Sequence, residues 1–440
     1  MEIAEAIKKS GIVGAGGAGF PTHMKIASNL DTVIVNGAEC EPLLASDEYL
    51  MEEQSGKLVR GLIFLLEACG AKRGVIALKQ KHEDALHSIR SAIDGSDKID
   101  IFLLRDYYPA GDELILVNDV TGRIVPEGGI PPQVGCVVNN VETVLNVFEA
   151  VENNAPVTKR FLTLAGGVER PSVVAAHVGT PVSEIVELCG GFTVDDPVAV
   201  IGGPMMGSVV TDFETPVTKT TSGVIVLPRN HSIVQKRTIP VEVMVKRSKA
   251  ACCQCSYCTD LCPRHLIGHD LLPHMIMRQI SYGIGFPSAA VKNAFLCSEC
   301  GLCTAYACTM ELSPSTMNRV IKERISSEGY KPSYPMRPYS PNSMREYRKI
   351  PTSRVLDRLH LRMYTGRMLR RGVRTDPGRV EILLKQHIGA PSVPSVKRGD
   401  RVREGDPIAE IPEKRTGARV HASISGEVTL VDGERIIIER

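Results

Sequence analysis

Eight of the nine cysteines between residues 252 and 308 have a spacing that suits iron–sulfur chemistry. They form two runs, which read CxxCxxCxxxCP and CxxCxxCxxxxC. Three thiolates two residues apart can hold one face of an iron–sulfur cube, and a fourth cysteine followed by proline is typical of the two-cluster pattern, in which that thiolate binds the other cluster. We therefore predict two [4Fe–4S] clusters. The first would be bound by Cys252, Cys255, Cys258 and Cys308, and the second by Cys297, Cys300, Cys303 and Cys262.

Two structural zinc sites are the alternative, because Cys-x-x-Cys pairs also hold zinc in tetrahedral geometry. Zinc sites rarely combine three cysteines at consecutive two-residue gaps with a Cys-Pro pair, so the spacing favours iron–sulfur clusters. The second run departs from the pattern at its end, where four residues precede Cys308 and Thr309 follows it instead of proline.

Composition limits the class of protein that carries these cysteines. The chain has 440 residues, of which 43% are apolar and 23% charged, and its formal net charge is +2. This length suggests about three soluble domains. With no tryptophan and 5% aromatic residues, an aromatic platform for nucleic acid is not expected. The other five cysteines have no framework spacing, which indicates a reducing compartment. No signal-peptide core and no apolar run of ~20 residues is found, so we expect a cytoplasmic protein without a transmembrane segment.

A glycine-rich loop near the N-terminus reads GAGGAGFPT over residues 14–22. Its backbone amides can approach a phosphate closely, and Pro21 is expected at an early position of a following helix. The loop also satisfies GxGxxG, and Glu39 lies twenty residues past Gly19, where a ribose-binding acid is found in dinucleotide-binding folds. A polar helix over residues 1–10 precedes the glycines instead of an apolar strand, which argues against that fold.

The segments that must position this loop alternate between strand and helix. Strands are predicted at Thr32–Val35, Gly74–Leu78 and Ile99–Leu104, and helices at Leu58–Ala68 and His82–Ala92. This pattern predicts an α/β domain with a largely parallel sheet. The first strand ends in NGAECEP, whose two carboxylates and amide suit a ligand with ring nitrogens and hydroxyls, although a solvated turn is the alternative.

Four motifs in this region together resemble a known family. GAGGAGFPT, NGAECEP, the Gly111-Asp112-Glu113 loop and NNVET (residues 139–143) occur in this order. The order is similar to the flavin-binding subunit of respiratory complex I and to the C subunit of the Rnf electron-transfer complex. The resemblance implies FMN as cofactor and NADH as electron donor. Ala38 stands where the complex I motif has an aspartate, and the glycine loop lacks the arginine usual there, which places the chain nearer to the Rnf branch.

The resemblance also implies roles for individual residues. It places the FMN phosphate and ribityl chain on Gly16, Gly17, Gly19 and Lys25. It places the flavin ring against Asn36, Glu39, Asn139, Asn140 and Thr143, and adds Gly14, Phe20 and Gly111 to the cofactor site. Glu41 and Glu113 are implied on the nicotinamide side as the catalytic candidates.

Beyond residue 155 the chain divides into smaller modules. We predict an FMN/NADH domain (1–155), a β-grasp domain (156–212), connecting strands (213–246), a helical double-cluster domain (247–328), a basic linker (329–378) and a barrel-sandwich domain (379–440). Residues 160–165 are expected as a strand, Ser183 as the cap of a helix over 183–188, and residues 269–282 as a helix. The β-grasp part resembles the soluble-ligand-binding domain of the same families, and a structural role is its default.

The last two modules contain no catalytic motif. Residues 331–380 hold 11 Arg and two Lys against three acidic residues, which fits a solvated linker with some helix (355–368) or, alternatively, docking to an acidic partner. Nucleic acid is not expected, because a basic segment alone is a poor signal. The tail has Gly-Asp turns between short strands, as in biotinyl and lipoyl domains, but lacks their lysine hairpin, so scaffold or docking is expected.

The complete order of modules resembles the cobalamin reductases of propanediol-utilisation microcompartments. That resemblance implies electron flow from NADH through FMN and the clusters to cobalamin, because a flavin can accept a hydride pair and release single electrons. It also implies a cobalamin adenosyltransferase and a microcompartment shell protein as partners. Two rivals remain open: an Rnf-like subunit that delivers electrons to a ferredoxin, and a non-enzymatic redox relay.

Overall fold

The computed structural model describes residues 2–26, 30–282, 289–334, 336–366 and 369–440. Its first domain surrounds a four-stranded parallel sheet in the order β3-β2-β1-β5. The central strand is apolar on both faces, as expected where helices cover a parallel sheet. The elements are α1 (Ile3–Lys9), β1 (Thr32–Gly37), α2 (Ser46–Glu53), α3 (Ser55–Cys69), β2 (Arg73–Lys79), α4 (Glu83–Ile93), β3 (Ile99–Leu104), β4 (Tyr107–Tyr108), α5 (Glu113–Thr121), β5 (Cys136–Asn140) and α6 (Val141–Asn153).

The strand register brings two of the sequence motifs together. Asn36 at the end of β1 lies opposite Asn140 at the end of β5. Both strands are parallel, so NGAECEP and NNVET leave the sheet at the same edge. The predicted α/β class is confirmed, and the predicted strands and helices of this domain lie within one to three residues of the observed bounds.

The second domain contains a six-stranded mixed sheet. Its elements are β6 (Lys159–Gly166), β7 (Ser172–His177), α7 (Val182–Leu188), β8 (Pro197–Ile201), β9 (Ser208–Val210) and β10 (Gly223–Pro228). Ser183 does not cap α7: the helix already begins at Val182, and the Ser183 hydroxyl donates to Glu214 Oε1 at 2.7 Å.

The prediction of connecting strands over 213–246 was wrong. The one strand described there, β10, belongs to the six-stranded sheet, where it pairs with β6 and β8. After it the chain is helical, with α8 at Ser232–Thr238 and α9 starting at Val241. The apolar residues of β10 fill a gap in the sheet, so the β-grasp domain extends past residue 212.

Short helices hold the two cysteine runs. They are α9 (Val241–Ala251), α10 (Tyr257–Asp260), α11 (Pro263–Leu266), α12 (Pro273–Tyr282), α13 (Ala289–Lys292) and α14 (Pro314–Ser327), with a π-helical turn at Cys303–Ala307. The helix predicted from His269 begins only at Pro273. His269 is instead buried, with its ring nitrogen 2.9 Å from the Val125 carbonyl, and proline suits the first turn of α12.

The basic segment is a packed strap and not a solvated linker. It forms β11 (Ile350–Pro351) against β4, α15 (Thr352–Arg358) and β12 (Arg370–Arg374), which joins the edge of the six-stranded sheet beside β7. The helix predicted over 355–368 ends at Arg358, because His360 has a left-handed φ of 56° and the chain turns there; Arg367 and Met368 lie outside the described residues.

Two small antiparallel sheets form the C-terminal domain, as the barrel-sandwich prediction expects. Their strands are β13 (Arg379–Leu383), β14 (Val393–Pro394), β15 (Arg401–Val402), β16 (Pro407–Glu410), β17 (Val420–His421), β18 (Gly426–Val431) and β19 (Arg435–Glu439). This domain packs against the glycine loop. The Ile388 amide donates to the Gly19 carbonyl at 3.0 Å, and Lys219 donates to the carbonyls of Gly11 and Arg419 at 2.8 Å each.

Candidate functional site

An open cavity of about 1310 Å³ of empty volume lies at the carboxyl edge of the parallel sheet. In open α/β sheets, ligands bind at this edge. With one exception, the residues that the motifs predicted for the flavin and nicotinamide line it. They are Gly14, Gly16, Gly19, Phe20, Lys25, Asn36, Glu39, Glu41, Gly111, Glu113, Asn139, Asn140 and Thr143. Gly17 lies in the same loop but is not among the lining residues, and its role stays a prediction.

The glycine loop is closed by its own backbone. The Gly14 amide donates to the Phe20 carbonyl at 2.8 Å, and the Ala15 amide donates to Thr143 Oγ1 at 2.9 Å, which joins the loop to the start of α6. Pro21 does not start an α-helix: only a 3₁₀ turn, Thr22–Met24, follows it. Exposed loop amides, together with the Lys25 ammonium, are therefore what this region offers to a phosphate.

Lys25 and Glu113 form an ion pair inside the cavity. Lys25 Nζ lies 3.1 Å from Glu113 Oε1 and 3.0 Å from the Val138 carbonyl. Glu113 opens helix α5, where Asp112 caps the helix by accepting from the amides of Leu114 and Ile115. The rigid cap keeps Glu113 at the cavity wall and Lys25 between the glycine loop and the sheet.

Two carboxylates crowd together on the sheet side of the cavity. The Asp47 amide donates to Glu39 Oε2 at 2.5 Å, and Asn140 Nδ2 donates to Asp47 Oδ2 at 2.7 Å. Burial raises the pKa of Glu39 well above its usual value, and the Asp47 charge adds to this shift. Burial likewise raises the pKa of Asp47 to about 6. A pair of this kind favours a proton on one partner, which can then donate to a ligand.

A buried arginine connects two of the motifs with the loop of Thr221, and sequence reasoning missed it. Arg160 pairs with Glu142, donates to the Ala15 carbonyl at 2.7 Å and donates to the Thr221 carbonyl at 2.8 Å. Burial raises the pKa of Glu142 to about 7, although the Arg160 charge opposes the shift. A strand residue of the second domain thus holds the glycine loop in place. The spacing of residues in the sequence gives no sign of this contact.

Glu41 faces the second domain. Its Oε2 accepts from the Met205 amide at 2.7 Å, and its Oε1 lies 3.5 Å from the Tyr108 hydroxyl. Burial raises the pKa of Glu41 to about 7, against the lowering effect of the Met205 hydrogen bond. Glu41 therefore holds a proton more readily than an ordinary carboxylate. Its catalytic role stays a prediction.

Asn36 holds the loop of Gly111 in place. Asn36 Nδ2 donates to the Gly111 carbonyl at 2.9 Å, and Asn36 Oδ1 accepts from the Ala38 amide at 3.2 Å. The Gly111 amide in turn donates to Cys40 Sγ at 2.6 Å. Ala38, which replaces an aspartate of the related motif, is fully buried, so it contributes packing at this position.

The eight motif cysteines line two small cavities in the cluster domain. One cavity is lined by Cys252, Cys255, Cys258 and Cys308, and also by Cys253. The other is lined by Cys262, Cys297, Cys300 and Cys303. Each cavity contains one predicted set, including the exchange of the fourth cysteine between runs, and the role of these cysteines as cluster ligands stays a prediction.

The chemistry of the two thiol sets fits a cationic group. Burial raises the pKa of Cys258 to about 12, and the charges of Cys308, Cys255 and Cys252 raise it further. Burial also raises the pKa of Cys303 well above its usual value, with neighbouring thiolates adding to the shift. Four thiolates in one cavity would repel one another, whereas coordination to a metal would deprotonate such thiols. Iron–sulfur clusters would supply that charge and accept one electron at a time.

The flavin cavity and the second cysteine cavity share a wall. Ser298 and Cys300 line both. Tyr108, which also lines the flavin cavity, donates to the Cys300 carbonyl at 2.7 Å. Tyr108, Asp47 and Met206 complete the cavity and were missed, because neither spacing nor composition marks them. Groups bound in the two cavities would be neighbours.

Four family models match the chain, one in each of the four predicted domains. They are the Nuo51 FMN-binding domain (residues 7–149), the SLBB domain (161–209), a 4Fe-4S dicluster domain (251–313) and the RnfC barrel sandwich hybrid domain (373–438). The predicted fold class, with a flavin domain, a β-grasp module, a cluster domain and a barrel-sandwich hybrid, is thereby confirmed.

Curated relatives match over the whole chain or over its central part. The chain is 41% identical over its full length to "Cobalamin reductase PduS" of Citrobacter freundii and of Salmonella typhimurium, in each case covering 96% of the relative. It is 36% identical to the C subunit of the Na(+)-translocating ferredoxin:NAD(+) oxidoreductase complex of Acetobacterium woodii, over 60% of this chain and 59% of that one. Across the residues that the structure describes, no helix is long and apolar enough to span a membrane.

Proposed function

The chain belongs to the family of the cobalamin reductases PduS, and we propose on that basis that it is an oxidoreductase that uses NADH to reduce cobalamin. FMN would bind on the glycine loop, Lys25 and the edge of the parallel sheet. Two [4Fe–4S] clusters would bind in the two cysteine cavities. A bound flavin would accept a hydride pair and pass on single electrons, which is the conversion needed between NADH and a one-electron acceptor.

The observation that carries this proposal is the shared wall between the two cavities. Cys300 lines both, and its carbonyl is held by the Tyr108 hydroxyl. The chain places the loop of the second cysteine set against the flavin cavity, so electrons need not cross solvent. Fourth cysteines exchanged between the two runs would bring the two clusters close to each other.

The chain's own residues orient the donor and exclude water. Glu41 and Tyr108 form the wall towards the second domain, and Lys25 with Glu113 forms the wall towards α5. Asn36 keeps the loop of Gly111 against the end of the central strand. We assign to Glu41 a position on the nicotinamide side. There its negative charge would favour the positive charge that the nicotinamide ring gains when hydride leaves.

The test is an anaerobic mixing experiment with the reconstituted protein, FMN, NADH and hydroxocobalamin. We expect NADH oxidation coupled to the absorbance change of cob(III)alamin reduction, first to cob(II)alamin and then, with a trap present, to cob(I)alamin. NADH oxidation and viologen reduction without any corrinoid reduction would contradict the proposal.

That contrary outcome would favour a second candidate, an Rnf-like subunit that passes electrons to a ferredoxin. The observation in its favour is the 36% identity to the Acetobacterium woodii protein. This match covers 60% of the chain, against the whole chain for the cobalamin reductases. If the protein bound no flavin and oxidised no NADH, a redox relay without its own enzymatic activity would be the better description.

The cellular setting follows from the same family. The enzyme would work inside a bacterial microcompartment for propanediol utilisation, next to a shell protein, and would pass cob(I)alamin to an adenosyltransferase. Co-purification of the full-length chain with these two partners from intact microcompartments tests this part separately from the chemistry.

A further inference from the structure

A third cavity lies outside the flavin and cysteine cavities and adjoins them. This groove has about 1780 Å³ of empty volume and runs between the β-grasp domain, the start of α9 and the second cysteine loop. Met206 lines both the groove and the flavin cavity. Gly301 and Ser315 line both the groove and the second cysteine cavity. A molecule in the groove would therefore lie beside both the flavin cavity and the second cysteine cavity.

Hydrogen bonds and a close backbone approach hold the walls of the groove together. Arg237 donates to the carbonyls of Gly207 and Pro204 at 2.6 and 2.5 Å, which fixes the β-grasp loop against α8. The Gly301 backbone approaches the Met205 carbonyl so closely that an added Cβ would lie 3.0 Å from it. These contacts join the second domain to the cluster loop, so the groove is a defined feature of the assembled chain.

The lining has the chemistry of a site for a large polar ligand with one negative charge. Lys236, Arg319 and Arg358 line the groove, together with hydroxyls such as those of Ser208 and Thr316. The 14-residue helix α14 begins there, so the positive end of its dipole adds to the positive charge. Two carboxylates balance this charge in part: Glu299 lines the groove itself and pairs with Lys322, and Glu311 lies 3.7 Å from both Lys236 Nζ and Arg358 Nη2.

We propose that this groove binds the corrinoid acceptor, an inference that rests on the proposed function and names its second substrate site. A corrinoid is a wide ring whose edge carries carboxamides and whose nucleotide tail contains one phosphodiester. The hydroxyls can form hydrogen bonds with the carboxamides, and the cations can pair with the phosphodiester. The exposed Met206 side chain can contact an apolar ring face. The flavin cavity is separate, so donor and acceptor bind at the same time.

Two groove variants and two matched controls test the site in the full-length protein loaded with FMN and iron–sulfur clusters. Ser208→Trp fills the mouth from an exposed edge-strand position, and Arg319→Glu reverses a cation that pairs only loosely with Glu323, at 3.9 Å. Ser326→Trp and Arg247→Glu make the same changes at exposed positions outside the groove. The measurements are the Kd for hydroxocobalamin and the rates of NADH-driven cobalamin and methyl viologen reduction.

We expect each groove variant to raise the Kd and lower kcat/KM for cobalamin about tenfold or more, as for the loss of a charge-assisted contact. Viologen reduction and both controls should stay within about twofold of the wild type, because flavin and clusters are untouched. If wild-type protein reduces cobalamin and both groove variants do so equally well, the groove assignment is wrong while the proposed function stands. If wild-type protein reduces viologen and never cobalamin, both fail.

Discussion

The hydroxyl of Tyr108 donates a hydrogen bond of 2.7 Å to the carbonyl of Cys300. Tyr108 is buried at the end of the first domain's β4, whereas Cys300 belongs to the second cysteine run, 192 residues further along the chain. One hydrogen bond thus holds the cluster loop against the wall of the flavin cavity. A buried carbonyl in this position has no water to replace a lost partner.

Tyr108→Phe should therefore weaken the attachment of the Cys300 loop without causing loss of FMN. Leaving a buried carbonyl without its donor costs about 1–3 kcal/mol. We expect faster iron loss to a chelator and slower cluster reduction by NADH, with FMN content unchanged. Tyr107→Phe is the matched control, because the Tyr107 hydroxyl bonds Asp119 within the first domain. Equal iron loss from both variants would contradict a specific role for Tyr108.

Cys258 and Cys253 give the sharpest test of the cluster assignment. Both cysteines line the first cysteine cavity, but Cys258 is buried and belongs to the motif spacing, whereas Cys253 is exposed and lies outside that spacing. Cys258→Ala should remove one [4Fe–4S] cluster, roughly half of the bound iron and sulfide, and should slow acceptor turnover more than NADH-dependent flavin reduction. Cys253→Ala should retain full iron content. Unchanged iron content and turnover in Cys258→Ala would contradict electron transfer through this cluster. Zinc without sulfide in the purified protein would instead indicate structural zinc sites.

Glu41 should make the stability of the flavin domain depend on pH. Burial raises its pKa from about 4.5 to about 7, so the folded state binds more protons than the unfolded chain between these values. Stability is then fully present below about pH 4.5 and is lost as the pH rises through 7, by up to about 3 kcal/mol. Glu41→Gln removes this loss, because the amide oxygen can still accept from the Met205 amide.

Thermal midpoints at pH 5.5 and pH 8 measure this effect. The gain of Glu41→Gln over the wild type should be larger at pH 8, whereas Glu53→Gln, at an exposed helix end, should show the same difference at both values. A gain that is equal at the two pH values would contradict the titration of Glu41. The same variant should slow NADH oxidation more than it weakens FMN retention if Glu41 lies on the nicotinamide side.

The sequence was sufficient where function depends on local spacing. Both cysteine sets, the exchange of Cys262 and Cys308, and the edge of the sheet where Asn36 and Asn140 meet were predictable. Thiolate geometry and parallel strand pairing each follow from short, regular patterns. Four ordered motifs were also sufficient for the family.

Contacts between distant segments were not predictable in the same way. Arg160, Tyr108 and Met205 reach the site from strands and loops whose sequences look ordinary, because any buried polar group needs partners and the chain does not mark which ones. The strap shows the same limit. Its positive charge was visible in the composition, but the acids that neutralise it lie elsewhere, such as Asp119, Glu127 and Asp260.

We expect the buried arginine of the strap to stabilise the fold, in contrast to an exposed arginine. Arg345 donates to Asp119 Oδ1 at 2.6 Å, and both side chains are about nine-tenths buried, with 11% and 8% exposed. Arg345→Ala should cost about 1.5–3 kcal/mol, the range for a hydrogen bond to a charged group, because Lys349 still contacts Asp119 at 3.3 Å. Arg362→Ala is the control, since Arg362 pairs with Asp357 in solvent, where ion pairs contribute little. A lower unfolding midpoint for Arg345→Ala alone is the expected result, whereas equal midpoints for the two variants would contradict a stabilising role of the buried arginine.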